Sequence, residues 1–350
     1  MIYVDYAKAF DAVDHEVLLM KLSNYGIEGH TFNWIKDFLT DRFQTVNIND
    51  HKSFFHKVLS GVPQGSVLGP ILFIIFINNL EREILYSQIG SFADDTRISK
   101  QISLYQDTNL LQDDLNNVVS WSAENNMKLH EDKFELLSYS NCKENYLYQL
   151  PFTNYLKEYV TPNGHTMSPQ ELVRDLGIYL SPDHSWTPHI NIIAQDARKM
   201  VNWVLSVFKD RQEHTMLTLY KSMIRSKLEY CCALWNPSNI ADITTLESVQ
   251  QTFTKKINGC RDIDYWERLK KLNLHSLQRR RERYIIIHVW KILNQVSPND
   301  LLLEFIECPR FGIKAKVPPL KSCSLEEPKT LYEHSFAVQG PRLWNIVPKN

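Results

Sequence analysis

The stretch Phe92-Ala93-Asp94-Asp95 constrains this chain more than any other. A short run, Gln88-Ile89-Gly90-Ser91-Phe92-Ala93, leads into two adjacent aspartates, and Thr96-Arg97-Ile98-Ser99 follows with strand-like alternation. This order predicts a hairpin that carries two carboxylates at its turn. Like charges that close repel, and each raises the other's pKa unless a cation lies between them. Mg²⁺ is the natural cation, because it binds through a few carboxylates plus substrate phosphates. A solvated surface turn is the plainer alternative, since Asp is a common turn residue.

The flanking pattern places this hairpin in a mixed unit. Met1–Asp5 reads as a short strand ending in an acid. Asp14-His15-Glu16-Val17 starts a helix whose apolar face is Val17, Leu18, Leu22 and Tyr25, and Thr31–Leu39 forms a second. Strands are expected over Gln44–Asn49 and Ser53–Leu59, then an apolar helix from Val67 to Leu80. After the hairpin come a helix over Asp107–Glu124 and a strand over Phe134–Tyr139. Strands alternating with helices argue for an α/β unit. Residues 145–172 are loop-rich, and Leu172–Leu180 reads as one more strand. Helices are then expected over Trp186–Arg211, His214–Leu234, Ile240–Gly259, Tyr265–Leu274 and Leu277–Gln295. The prolines beyond Pro298 predict a mostly irregular tail over 298–350.

Charge separates the two halves. Residues 1–150 carry 12 Lys and Arg against 20 Asp and Glu, and residues 151–350 carry 27 against 20. The basic excess gathers between Lys255 and Lys291, with 11 basic and 4 acidic residues. An acidic front suited to metals and a basic rear suited to phosphates fit a nucleic-acid enzyme, although a solvated helix face has a similar composition. The six cysteines, Cys142, Cys231, Cys232, Cys260, Cys308 and Cys323, lack Cys-x-x-Cys spacing. That argues against a disulfide framework or zinc knuckle and for a reducing compartment. The longest purely apolar run, Ile71–Ile77, is too short to span a bilayer, and the N-terminus lacks the regions of a signal peptide. The expectation is an intracellular protein of the nucleus or cytoplasm.

Two constellations carry chemistry. Asp5 ends one apolar strand and Asp94 and Asp95 occupy a turn, so the three converge if their strands are neighbours. Three carboxylates at one point suit two divalent ions for phosphoryl transfer. Ser60-Gly61-Val62-Pro63-Gln64-Gly65-Ser66 is the second. Its glycines let backbone approach a flat ligand, and Gln64 offers both donor and acceptor. Equally, the loop reads as a helix entry capped by Ser66.

These residues also carry a family resemblance. Tyr3-Val4-Asp5-Tyr6-Ala7-Lys8-Ala9-Phe10-Asp11 and on to His15 resembles motif A of the reverse transcriptases of non-LTR (LINE-type, jockey-like) retrotransposons. Residues Ser60 to Pro70 resemble motif B, and Phe92-Ala93-Asp94-Asp95 resembles motif C. Three motifs in order and spacing make the likeness specific. It continues more softly through Leu176-Gly177-Ile178-Tyr179-Leu180, Trp186, His189-Ile190, Leu228-Glu229-Tyr230, Trp235-Asn236-Pro237, the Arg279 region and Ser335-Phe336 to Trp344-Asn345.

The resemblance implies an α/β (α+β) palm of the right-hand polymerase type over 1–144, with motifs A to D. A connecting segment with a primer-grip-like strand would follow over 145–185, then a helical thumb-like basic region over 186–297. It implies an RNA-directed DNA polymerase that joins dNTPs to a primer 3′-OH on an RNA template. Two Mg²⁺ ions, for which Mn²⁺ substitutes, would be held by Asp5, Asp94 and Asp95. Phe10 would stand where a ribose 2′-OH falls and exclude it by repulsion. Gln64 and Gly65 would lie beside the nascent base pair. Lys133 would protonate leaving pyrophosphate or serve as a surface lysine; Phe134 stands where the family usually has Thr. Lys270, Lys271, Arg279, Arg280, Arg281 and Arg283 are the expected phosphate contacts, and such binding weakens steeply with salt. The chain begins almost at motif A, so a fingers region upstream is expected to be missing, as in a fragment. Weak or no primer extension is then expected. The alternative is an inactive remnant that at most binds nucleic acid.

Overall fold

The computed structural model describes residues 1–139, 158–300, 303–308, 312–318 and 335–347. The chain forms two compact units, Met1–Leu176 and Gly177–Asn350. The expected connecting segment is therefore divided between them, and its part over 145–157 lies outside the described residues. Leu176 and Gly177 both take positive φ (45° and 84°), which breaks the strand expected over Leu172–Leu180 into two three-residue pieces. Among the described residues no helix is long and apolar enough to cross a membrane.

The front unit runs β1 (Ile2–Val4), α1 (Ala9–Ala12), α2 (His15–Asn24), α3 (Gly29–Leu39), β2 (Phe43–Gln44), β3 (Asn47–Ile48), β4 (His51–Lys52), β5 (His56–Lys57) and α4 (Leu68–Ile77). It continues through β6 (Gln88–Phe92), β7 (Asp95–Ser99), α5 (Tyr105–Glu124), β8 (Glu135–Leu136), β9 (Tyr159–Val160), β10 (Thr166–Met167) and β11 (Val173–Asp175). Four strands form the central sheet in the order β6-β7-β1-β8, with every neighbouring pair antiparallel. The strand–helix alternation thus builds an α+β layer, not parallel βαβ units, because β6 and β7 close as a tight hairpin against β1.

Alternation along these strands separates two faces. Ile2, Val4 and Ile98 are buried, and they share a core with Leu18 and Leu22 of α2, Leu72, Phe73 and Phe76 of α4, and Leu111, Leu115 and Trp121 of α5. Tyr3, Asp5, Asp95 and Arg97 have the opposite parity and stand on the open face. Helix α2 begins as expected at Asp14, whose carboxylate accepts from the backbone N–H of Glu16 (2.9 Å) and Val17 (3.1 Å). The strands expected over Gln44–Asn49 and Ser53–Leu59 are instead four exposed two-residue strands. Asn49 and Asp50, both at positive φ (47° and 66°), turn β3 into β4 as a two-residue primed hairpin.

The rear unit is helical. It contains β12 (Ile178–Leu180), α6 (Thr187–Val207), α7 (Glu213–Leu219), a π-helical turn (Tyr220–Arg225), α8 (Ser226–Glu229) and α9 (Ile240–Thr254). Helices α10 (Tyr265–Lys271) and α11 (Leu277–Leu293), strands β13 (Phe305–Cys308) and β14 (Gly312–Ala315), and α12 (Phe336–Ile346) complete it. Ile190, Ala194, Ala197, Val201 and Val204 line one face of α6 and are buried together with Leu246, Val249 and Phe253 of α9. The small alanines let the two helices approach closely. The tail expected to be irregular carries a hairpin and a helix. Asn345 ties them, donating from Nδ2 to Ala315 O (2.8 Å) and accepting from Ala315 N–H (3.0 Å), while Trp344 Nε1 donates to Ile313 O (3.2 Å).

Candidate active site

The hairpin register pairs Phe92 with Asp95, so Ala93 and Asp94 form the turn. Ala93 takes a positive φ of 54° and Asp94 does not, the pattern of a type II′ turn. On the other side of β7, Val4 pairs with Thr96. One further step in that register sets Asp5 opposite Asp95. The electrostatics agree with this placement. Burial, and then the negative charges of Asp94, Asp175 and Asp5, push the Asp95 carboxyl above the ordinary carboxylate range.

Segment 128–133 runs beside motif A. Ala7 N–H donates to Lys128 O (2.8 Å) and His130 N–H to Asp5 O (2.9 Å). This brings the Lys133 ammonium to 3.1 Å from Asp5 Oδ2. The donors at the hairpin are hard oxygens in a field that a divalent cation relieves, so they fit one in kind. Their grouping is looser than expected. Among the described residues no three His, Cys, Asp or Glu side chains stand close enough together to hold a metal ion. The Lys133 ammonium takes the place beside Asp5 that a cation would compete for.

The Ser60–Ser66 loop lies directly on motif A. Gly61 N–H donates to Val13 O (2.7 Å) and Val62 N–H to Phe10 O (2.9 Å), and Ser60 Oγ donates to Asp11 O (2.8 Å). His15 Nε2 and Arg42 Nη2 both donate to Gly61 O, at 2.9 and 2.8 Å. Gly61 has φ +86°, and a Cβ there would stand 2.7 Å from Asp11 Cα. Only glycine permits this approach. The Gln64 side-chain amide donates to Asp11 Oδ1 (2.8 Å), while Gly65 is exposed. Ser66 behaves as the helix-entry reading of the loop expects, because its Oγ accepts from Gly69 N–H (2.9 Å) just ahead of α4. Phe10 is partly buried, and its ring stacks on Phe73 with centroids 4.3 Å apart.

The six basic residues expected at phosphates separate by environment. Arg279 and Arg283 are exposed and make no side-chain hydrogen bond or ion pair among the described residues. Lys270 bonds Glu267 Oε1 (2.8 Å), and Lys271 donates to Gly259 O (2.8 Å). Arg280 pairs with Glu229. Arg281 corrects the expectation. It is fully buried, its Nε donates to Asn236 Oδ1 (3.1 Å), and both Nη atoms lack a hydrogen-bond partner among the described residues, so it does not face a phosphate. It sits on the core face of α11 with Leu277 and Ile285.

Residues 1–180 match the family described as reverse transcriptase (RNA-dependent DNA polymerase). The chain belongs to the reverse transcriptase family. That membership assigns a right-hand polymerase fold and, for the family in general, divalent metal chemistry. The probable RNA-directed DNA polymerase from transposon X-element of Drosophila melanogaster is 24% identical over 329 residues, covering 86% of this chain and 35% of that protein. The RNA-directed DNA polymerase from mobile element jockey of the same species is 25% identical over 323 residues, covering 85% of this chain and 32% of that protein. This chain is thus a jockey-like, non-LTR reverse transcriptase by relationship, and it spans about a third of the length of these relatives. Apo telomerase from Candida tropicalis aligns with a TM-score of 0.41 at 9% identity, covering 85% of this chain and 51% of that one.

Two residues at the site escape sequence reasoning. Asp175 bears on Asp95 electrostatically and forms an ion pair with Arg97, 78 residues earlier. Only the strand-like spacing of Asp95 and Arg97, two apart on one face, hints at it.

Proposed function

We propose that this chain is the catalytic part of an RNA-directed DNA polymerase that extends a DNA primer with dNTPs along an RNA template. The observation that carries the reading is the register that sets Asp5 beside Asp95 and the Asp94 turn, inside a segment matching the reverse transcriptase family. On this reading residues 1–144 are the palm, 145–185 carry the primer-grip-like strand and 186–297 are thumb-like. Asp5, Asp94 and Asp95 would hold two Mg²⁺ ions, with Mn²⁺ able to substitute. Bound there, the ions supply charge neutralisation at the phosphates and an activated primer 3′-oxygen.

The chain's own residues do the positioning. Phe10, braced on Phe73, cannot swing aside for a 2′-OH and so favours deoxynucleotides. Gln64, held by Asp11, and Gly65 border the nascent pair. Lys133 exchanges Asp5 for the leaving pyrophosphate and gives it a proton. Arg279 and Arg283, with Lys270 and Lys271 once released from their local partners, hold nucleic-acid phosphates.

A second reading is that the chain binds nucleic acid without extending it. The ungrouped carboxylates and the Lys133–Asp5 contact favour it. Incorporation of dNTPs into a primer on an RNA template, with Mg²⁺ or Mn²⁺, separates the two. The polymerase reading expects slow incorporation that Asp94→Ala abolishes. No incorporation, or incorporation that survives the substitution, refutes it.

A further inference from the structure

The open face of the central sheet carries a second charged group beside the three motif aspartates. Arg97 follows Asp95 by two residues on β7 and therefore shares its face. Its guanidinium lies across the neighbouring strand at Gly90, where a Cβ would stand 3.1 Å from Arg97 Nε. A Cβ at position 90 would be tighter than ordinary contact and would make the arginine give way by a few tenths of an ångström. Arg97 Nη1 pairs there with Asp175 Oδ2, and the Tyr3 hydroxyl donates to the same oxygen at 3.4 Å. Tyr3 is itself the β1 partner of Arg97 in the register. Strands β6, β7 and β1 therefore all contribute to one cradle for the Asp175 carboxylate, which is only 16% exposed.

We propose that Arg97 and Asp175 are a positioning pair, fastening the strand Val173–Asp175 to the open face beside Asp95 and so setting where a primer 3′ end stands relative to the carboxylates. The inference rests on the polymerase reading. Neither residue touches substrate in this role. A single long-range ion pair over a glycine is suited to it, because it fixes one strand against another without occupying the site above. Small displacements of a reacting end are costly in rate, so a loosened strand lowers turnover without removing binding.

The test uses the full chain with Asp175→Asn, Arg97→Gln, Gly90→Ala and Arg97→Lys, each checked for an unchanged thermal unfolding profile. Amide hydrogen exchange at Val173–Asp175 reports the fastening directly, and turnover per bound primer–template reports positioning. Turnover is normalised by binding stoichiometry, so a variant that merely folds less well shows no change in it. Asp175→Asn and Arg97→Gln should speed exchange at Val173–Asp175 and lower turnover by about tenfold to a hundredfold, with primer–template affinity unchanged. Gly90→Ala should fall between them and the wild type. Arg97→Lys, which keeps the single ion pair, should restore most of both. Unchanged exchange in Asp175→Asn overturns the proposal, as does faster exchange with unchanged turnover. A wild-type chain that binds primer–template without extending it overturns the polymerase reading and the positioning role with it; the exchange rates then report the fastening alone.

Discussion

Replacing Gly61 by alanine tests how the Ser60–Ser66 loop is held on motif A. The new Cβ would lie 2.7 Å from both Asp11 Cα and Asp11 O, and 2.9 Å from Asp11 C, all backbone atoms that cannot rotate away. Restoring ordinary contact requires the two segments to part by about 1 Å, since carbon atoms settle roughly 3.5–4.0 Å apart. That movement loosens the bonds from Gly61 N–H to Val13 O, Val62 N–H to Phe10 O, and Ser60 Oγ to Asp11 O. Each such bond contributes about 0.5–1.5 kcal/mol net. The left-handed backbone at φ +86° adds about 1–3 kcal/mol for a residue with a Cβ. With partial relaxation, a loss of about 2–5 kcal/mol follows. Gly65→Ala is the internal control, because Gly65 shares the positive φ (79°) but has nothing within 4 Å of its Cβ position. It should lose only the backbone part, about 1 kcal/mol or somewhat more. Urea unfolding of the two variants beside the wild type gives both numbers. Equal losses would refute the argument that the Gly61–Asp11 approach, rather than φ alone, demands glycine.

Three other variants probe the rear unit. His189 is buried among Trp186 and Trp235, and burial pulls its pKa from 6.5 down to about 4. Between those values the unfolded chain binds the proton and the folded chain does not, so stability should fall as pH drops from 6.5 towards 4. His189→Gln should flatten that slope in thermal melts, and an equally steep slope would count against the neutral buried imidazole. Removing Arg279 and Arg283 together should weaken primer–template binding and reduce the slope of log affinity against log salt by roughly 0.7–0.9 per lost contact. Arg281→Met should change stability and leave the salt slope alone; a smaller slope would contradict its burial.

The site was legible in the sequence where local rules govern. Alternation and a two-residue turn forecast the β6–β7 hairpin, because a strand has period two and Ala93-Asp94 closes it. Asp14 declared the start of α2 through its capping carboxylate. The register that brings Asp5 to Asp95 was not legible, since a strand's partner is decided by the whole sheet. Asp175 and Arg97 lie 78 residues apart, and local spacing places Arg97 on the Asp95 face without pointing to Asp175. Composition makes Arg281 an expected phosphate contact, whereas its spacing, four residues from Leu277 and four from Ile285, sets it on the buried stripe of α11. The prolines of the tail predict a mostly irregular segment. Pro341 nevertheless lies inside α12, whose Asn345 and Trp344 bind the β14 backbone.

On the proposed reading, the β1 and hairpin carboxylates form one divalent-cation site in which Lys133 competes for Asp5. Titrating the full chain with Mn²⁺ and following free Mn²⁺ by electron paramagnetic resonance tests it without requiring turnover. The wild type should bind Mn²⁺, Asp94→Asn should bind it at least about tenfold more weakly, and Lys133→Met should bind it more tightly, because loss of one ligand or of one competing cation shifts the electrostatic balance in opposite directions. Binding that is indifferent to both substitutions would contradict a shared site.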